Sequence, residues 1–227
     1  MDRAHWLGRA HRRTGEHRRL YIRPSHSREA IVIAHLTGPE LFRSDGTVAI
    51  GPLRRDLLDV YLRWTNDPVT MRGNGRTELE DREALRTGLD VMLSGENRHV
   101  TIYDPARRDH GAGPLPVGTA TLSIDRPVAA AEYLITLGEE GRGRGLAAPA
   151  TRLVLDVGFE DEGLENVYLT VLEPNVAGIR AYKQAGFRLI GHRRRSALWA
   201  GRRVDEILMD AIPTSRTSGR GRQPVAT

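Results

Sequence analysis

The chain contains no cysteine, which excludes disulfide scaffolds, thiolate metal sites and cysteine nucleophiles. Nothing in the sequence calls for an oxidising compartment, and the expected location is cytoplasmic. Long apolar runs are missing too. None approaches the ~18 residues a membrane helix needs, and Arg and His interrupt the first turns of chain where a secretory signal would place its apolar stretch. The expectation is a soluble protein with no membrane partner. Lysine is almost absent: Lys183 stands against 33 arginines, a bias that reads as the codon usage of a GC-rich, bacterial-type genome. What is present, 39% hydrophobic and 28% charged residues over 227 positions, is a globular composition that excludes collagen-like and wholly disordered chains.

Charge and composition divide the chain. Residues 1–45 carry a net +4 and 191–227 a net +5, around a centre of −4. Segment 1–45 reads as a basic, partly disordered extension with a short apolar run at 31–36 that could be a strand, and 213–227, rich in Pro, Gly, Ser and Thr, as a disordered tail. The working domain is expected at 46–212. Within it, a strand at 48–53 precedes an amphipathic helix marked by Leu57, Leu58, Tyr61 and Leu62, which Asn66-Asp67-Pro68 stops. A second helix is expected from Thr77, with Glu80 completing a capping box, to Leu93. Strand-like runs follow at 100–103, 117–124 and 131–137, the first two separated by the turn-rich PARRDHGAGPLP. Helical spacing returns from Leu146 to Val157, alternation at Val167, Leu169 and Val171, and a helix at 176–185 with Gly186 as its left-handed cap. Runs at 187–190 and 204–209 close the domain as a hairpin. This order predicts an α+β fold, a mixed and mostly antiparallel sheet with helices on both faces.

The segment GRGRGLAA at 141–148 lies between a predicted strand and a predicted helix, where free backbone N–H groups and the helix dipole favour an anion. Glycines let a bulky pyrophosphate approach the main chain, and Arg142 and Arg144 add positive charge. Gly143, Gly145 and Ala148 also satisfy the dinucleotide fingerprint, but the context is wrong: most of a domain precedes it and too little chain follows to complete such a sheet. A Walker loop is excluded because no Gly-Lys-Ser/Thr ending occurs.

Arg142 to Ala147 reads R-x-x-G-x-A, which resembles the pyrophosphate-binding motif of the GNAT superfamily of acyl-CoA-dependent N-acetyltransferases. VYLTVLEPN, AYKQAGF and WAGRRVDEILM follow in the family's order, and LRRDLLDVYLRWTNDP resembles the first helix of the branch similar to ribosomal-protein N-terminal acetyltransferases. The similarity covers residues 46–212. It implies a sheet splayed at its centre, with the pantetheine arm of acetyl-CoA lying in the gap. Tyr133, Ile135 and Leu137 would then offer backbone partners, Asn175 a side-chain amide, and Arg142, Gly143, Arg144, Gly145, Leu146 and Ala147 the pyrophosphate cradle. It also implies Tyr182 as the acid near the departing sulfur and Glu132 as a base. Thr170 departs from relatives that carry Glu there, and His99 and Tyr103 are reserve proton carriers. Trp64, Trp199 and Met71 are expected to line the acceptor side.

The expected activity is transfer of an acetyl group from acetyl-CoA, as co-substrate, to a primary amine of a small molecule, peptide or protein N-terminus. No metal is expected, since no H-E-x-x-H or similar spacing occurs. A non-catalytic acyl-CoA-binding or RNA-binding module on the same fold is the alternative, although nucleic acid is not the expected partner. A monomer or homodimer would suffice.

Overall fold

Eight strands form one sheet in the order β1-β2-β3-β4-β5-β6-β8-β7. The computed structural model describes residues 39–109 and 113–214, so the run at 31–36, most of the amino-terminal extension and the tail from 215 lie outside the described residues. The strands are β1 (Arg43–Ser44), β2 (Ala49–Pro52), β3 (Arg98–Arg108), β4 (Pro114–Asp125), β5 (Ala130–Leu137), β6 (Asn166–Leu172), β7 (Arg188–Trp199) and β8 (Arg202–Ala211). The helices are α1 (Leu58–Thr65), α2 (Pro68–Gly73), α3 (Arg82–Ser94), α4 (Ala147–Asp156) and α5 (Val176–Ala185). Every strand pair is antiparallel except β5–β6, whose strands are joined by the α4 crossover.

Alternation decides which face each strand buries. In β6, Val167, Leu169 and Val171 are buried while Tyr168 between them is exposed. The buried set joins Ile102, Leu122 and Tyr133 of the neighbouring strands and Ala150, Leu153 and Val154 of α4 in the main core. On the opposite face a smaller cluster holds Leu57, Leu58, Tyr61 and Trp64 of the α1 region against Leu89 of α3. The Tyr61 hydroxyl ties α1 to the sheet, 2.6 Å from Thr101 Oγ1, and burial pushes its pKa up to about 12.

Four local differences from the sequence expectations have identifiable causes. The sheet begins at Arg43, ahead of the boundary at 46, because β1 pairs with β2 and Arg43 reaches Glu160 and Asp161. Helix α3 starts at Arg82 rather than near Thr77. Asn66 holds the backbone of Glu80 through both its amide atoms, and Asp81 caps the helix by accepting from the N–H groups of Glu83 and Ala84. Pro68 ends α1 but also opens α2, where its fixed φ suits the first helical turn and Asp67 is the cap. The closing hairpin is far longer than its apolar runs because arginines 193–195 hide the alternation. Its turn at Ala200 and Gly201 has φ of 48° and 78°, the two positive values a tight hairpin turn requires.

The β5–β6 pair is the irregularity that matters most. Its register runs over Ala130↔Asn166, Ala131↔Val167 and Glu132↔Tyr168 and then stops. Beyond that rung β5 keeps β4 and β6 keeps β8, so the two strands part and leave a wedge in the middle of the sheet.

Gly138, immediately after β5, shows how tightly the wedge's rim is packed: a Cβ there would stand 2.1 Å from Trp64 Nε1. Trp64 is 1% exposed and cannot swing into solvent without emptying its site. Gly138→Ala should therefore destabilise the domain by about 1–3 kcal/mol, the usual range for overpacking, read as a lowered denaturation midpoint in urea.

Candidate active site

The wedge opens toward the C-terminal ends of β5 and β6, which are also where the two glycine- and asparagine-bearing connections lie. After β5, Gly143 and Gly145 adopt φ of +70° and +74°, values that side chains larger than glycine rarely take. Leu146 follows in the right-handed region with φ −78°. Such left–right alternation points successive N–H groups to one side and forms an anion-binding concavity. Helix α4 continues from it with no side-chain cap and no acidic residue in its first turn. The amides at its start thus lack the partner that a capping residue supplies elsewhere in the chain. Leu146 is buried and anchors the turn in the core, while Gly143, Arg144 and Gly145 are exposed.

Neither motif arginine stands as a free cation. Arg142 Nη1 pairs with Asp67 Oδ1 at 2.9 Å, and Arg144 Nη2 with Asp104 Oδ2 at 2.8 Å. Arg142 holds the Asp67 carboxyl below its ordinary pKa. Asp104, on β3, has a side chain only 2% exposed, so Arg144 supplies the countercharge that a buried carboxylate needs. The turn is also held through Glu140, which accepts from Arg63 at 2.5 Å and from Trp64 Nε1 at 2.9 Å. Burial opposes ionisation of Glu140, yet these donors keep its pKa low. The Arg63–Glu139 pair at 3.3 Å is exposed on both sides and adds little. Trp64 is thus a core and anchoring residue, not an open wall of an acceptor site; Trp199 and Met71 are half-buried.

After β6, Asn175 caps α5, its Oδ1 accepting from Gly178 N at 3.0 Å. Only its amide NH2 is left to meet a ligand. On α5, Tyr182 packs edge-on against Tyr133 with ring centroids 6.3 Å apart, and against Phe187 at 5.9 Å. Burial pushes the Tyr182 phenol up to about 12, so it keeps its proton at neutral pH. The Tyr133 hydroxyl meets Thr151 Oγ1 at 2.9 Å, and Thr151 donates to the Ala147 carbonyl, which binds β5 to the start of α4. Tyr133 and Tyr182 therefore sit together under the helical face of the wedge.

Glu132 is not with them. Adjacent strand residues point to opposite faces, and Glu132 is exposed on the other side of the sheet, at the last rung before the strands part. That rung runs Ser123–Glu132–Tyr168–Asp210 across four strands. Burial raises the Tyr168 pKa, with the charges of Glu132 and Asp125 adding to it. Thr170 follows Tyr168 by two residues on this same face. Among the reserve candidates, Tyr103 is buried on β3, two strands from the wedge. His99 lies half-buried with Nδ1 2.9 Å from Thr121 Oγ1. Three anchors escaped the sequence reading: Asp67, Asp104 and Glu140. Asp67 reads locally as a helix stop, and an acidic residue on β3 carries no signal that it faces the turn. Among the described residues no cluster of His, Asp and Glu is arranged to hold a metal, and no helix is long and apolar enough to cross a membrane.

Comparison with known proteins bears on this arrangement. Residues 48–188 match the acetyltransferase (GNAT) domain family. The chain is 38% identical over 61 residues to the spermidine N(1)-acetyltransferase of Escherichia coli K12, a stretch that is 27% of this chain and 33% of that protein. It thus spans about a third of the length of the curated relative it matches. Among solved structures, the spermidine N-acetyltransferase of Vibrio cholerae in complex with CoA and spermine superposes with a TM-score of 0.66 at 21% identity, covering 74% of this chain and 96% of that one. A GNAT-family acetyltransferase from Bacillus anthracis gives 0.63 at 14%, covering 76% and 98%. At these identities the structural matches establish the fold.

Burial lowers the pKa of His99 below its ordinary 6.5. The unfolded chain then binds the proton more readily than the folded one, so the contribution is complete above about pH 6.5 and is lost as pH falls toward the folded value. Thermal denaturation scanned from pH 7.5 to 5 should show a declining Tm, and His99→Gln should flatten that decline.

Proposed function

We propose, from the premise that the chain belongs to the GNAT acetyltransferase family, that it transfers the acetyl group of acetyl-CoA to a primary amine. The observation that carries this reading is the wedge between β5 and β6 ending on an uncapped, glycine-built helix start. A pantetheine arm laid along Tyr133, Ile135 and Leu137 would supply the amide partners that the parted strand edge lacks. The pyrophosphate would rest on the amides of 143–147, with Arg142 and Arg144 already oriented by their carboxylates. Asn175 would offer its NH2 to the arm. The family's enzymes take acetyl-CoA as co-substrate, and no resident cofactor is invoked.

The chemistry assigned to the site follows from the protons that must move. A neutral amine attacks the thioester carbonyl carbon, a C–N bond forms, and collapse of the tetrahedral intermediate breaks the C–S bond. The leaving thiolate needs a proton, and Tyr182, kept protonated by burial, is the donor on the helical face. The attacking amine loses a proton, and Glu132, exposed on the opposite face at the apex of the wedge, is the acceptor. Acid and base on opposite faces suit a reaction in which cofactor and acceptor approach from the two sides of a sheet.

The finer reading is a polyamine-like acceptor. It is supported by the relatives' names and by the three carboxylates of Glu132, Asp210 and Asp125 on one face, where Arg188, opposite Asp210, adds one cation to the rung. A flexible polycation gains attraction from several carboxylates in one rung and its neighbours, whereas a peptide N-terminus carries a single charge to meet them. A screen of spermidine, spermine, a short alkylamine and a peptide N-terminus, read by release of free CoA with a thiol reagent, tests it. The chain has no thiol of its own to obscure the signal. Turnover with polyamines above the peptide is the expected result, and no turnover with any amine would refute the enzyme reading.

Three substitutions test the assignments. Gly145→Val places a branched side chain at φ +74° in the cradle, and calorimetry should find acetyl-CoA binding abolished in a folded protein. Tyr182→Phe and Glu132→Gln should each lower kcat by about 10²–10⁴-fold with little change in acetyl-CoA affinity.

A further inference from the structure

The turn between β5 and α4 is gripped by a short segment of distant sequence, the α1–α2 junction. Arg63 and Trp64, at the end of α1, hold the two carboxylate oxygens of Glu140. Two residues beyond α1, Asp67 holds Arg142. Asp67 Oδ1 does two things at once: it accepts from the N–H groups of Val69 and Thr70, each at 3.0 Å, and it pairs with Arg142 Nη1 at 2.9 Å. The carboxylate is therefore pinned by the first turn of α2 before it meets the arginine. A carboxylate with two backbone donors has one orientation, and so does the guanidinium that docks on it.

The rest of that guanidinium is unusual. Arg142 Nε and Nη2 are shielded from solvent and have no protein acceptor among the described residues. Shielded donors without acceptors are costly and rare. Their position in the turn that faces the wedge gives them a natural acceptor in an anionic group delivered by a ligand.

We propose that Asp67 is a positioning residue for acetyl-CoA, acting through Arg142: it clamps one nitrogen of the guanidinium so that the remaining donors are held ready for the cofactor's phosphates. This rests on the reading of the turn as the acetyl-CoA cradle. Helix α2 thereby becomes part of the cofactor site through the residue that caps it. The pair is partly exposed on both sides, 27% and 24%, which makes its effect one of orientation more than of raw stability.

A double-mutant cycle on the full chain decides the matter. Asp67→Ser keeps a good helix cap and deletes the charge, and Arg142→Gln deletes the partner. Calorimetric titration with acetyl-CoA should show Asp67→Ser weakening binding on the order of 10-fold, with the loss appearing in KM for acetyl-CoA and not in kcat. In the Arg142→Gln background the same substitution should have no further effect on affinity. Asp67→Asn, which retains the cap oxygen and the shape, should behave as Asp67→Ser and serves if the latter does not fold. The proposal is overturned if both Asp67 variants bind acetyl-CoA like the parent. It is equally overturned if their effect persists undiminished in the Arg142→Gln protein, which would make it a consequence of α2 alone. A parent that binds no acetyl-CoA removes the cradle reading itself. A parent that binds it, with loss in Arg142→Gln only, leaves that reading standing and removes the role of Asp67.

Discussion

Three rungs of parallel pairing, followed by none, are the constraint on which this architecture turns. Backbone N–H and C=O groups are obligatory hydrogen-bonding groups, and a sheet that parts in its middle leaves two rows of them without ladder partners. The edges of β5 and β6 persist because each strand stays paired on its other side, through eight register positions to β4 and six to β8. The main core packs Val167, Leu169 and Tyr133 beneath them. The wedge is thus held open by packing on its flanks, and a ligand with amides of its own is the chemical complement of what the wedge lacks.

The turn at the head of the wedge shows how a flexible sequence becomes a rigid site. Glycines at 143 and 145 make the conformation accessible but do nothing to hold it, because glycine has more backbone freedom to lose than any other residue. Rigidity comes from outside: Glu140, Arg142 and Arg144 each meet a partner on a different element, respectively α1, the cap of α2, and β3. The buried Asp104 and the indole of Trp64 matter most among these tethers, since desolvated partners cannot be replaced by water. The exposed Arg63–Glu139 contact could be lost at small cost.

Opposite faces of one strand meet different surroundings. Tyr133 turns toward Tyr182 and Phe187, an aromatic cluster that burial keeps dry and its phenols protonated. Glu132, one residue earlier, turns to the solvated and acidic side. The period of two in a β-strand places Tyr133 beside the buried aromatic cluster and Glu132 on the solvated face of the same gap.

Much of this was written locally and could be read locally. Gly186 ends α5 with φ of 112°, Asn175 caps its start, and the alternation in β6 and the helical spacing from Leu146 all depend on residues within a turn or two of one another. The order of elements, the glycine turn and the placement of Tyr182 and Glu132 on their elements follow from such signals, whereas the GNAT likeness came from a resemblance of motifs. Tertiary structure alone decided the rest. Trp64 reads equally well as a pocket wall or as core, and only its burial with Leu57, Tyr61 and Leu89 and its bond to Glu140, 76 residues away, make it a core anchor. Asp67 looks like a helix stop until Arg142 arrives beside it. The start of α3 moved because Asn66 claimed the backbone of Glu80, and three arginines hid a long hairpin whose pairing comes from β8. Short-range propensity and periodicity are properties of a sequence, whereas the partner of a charge and the end of a strand pairing are properties of what folding brings next to it.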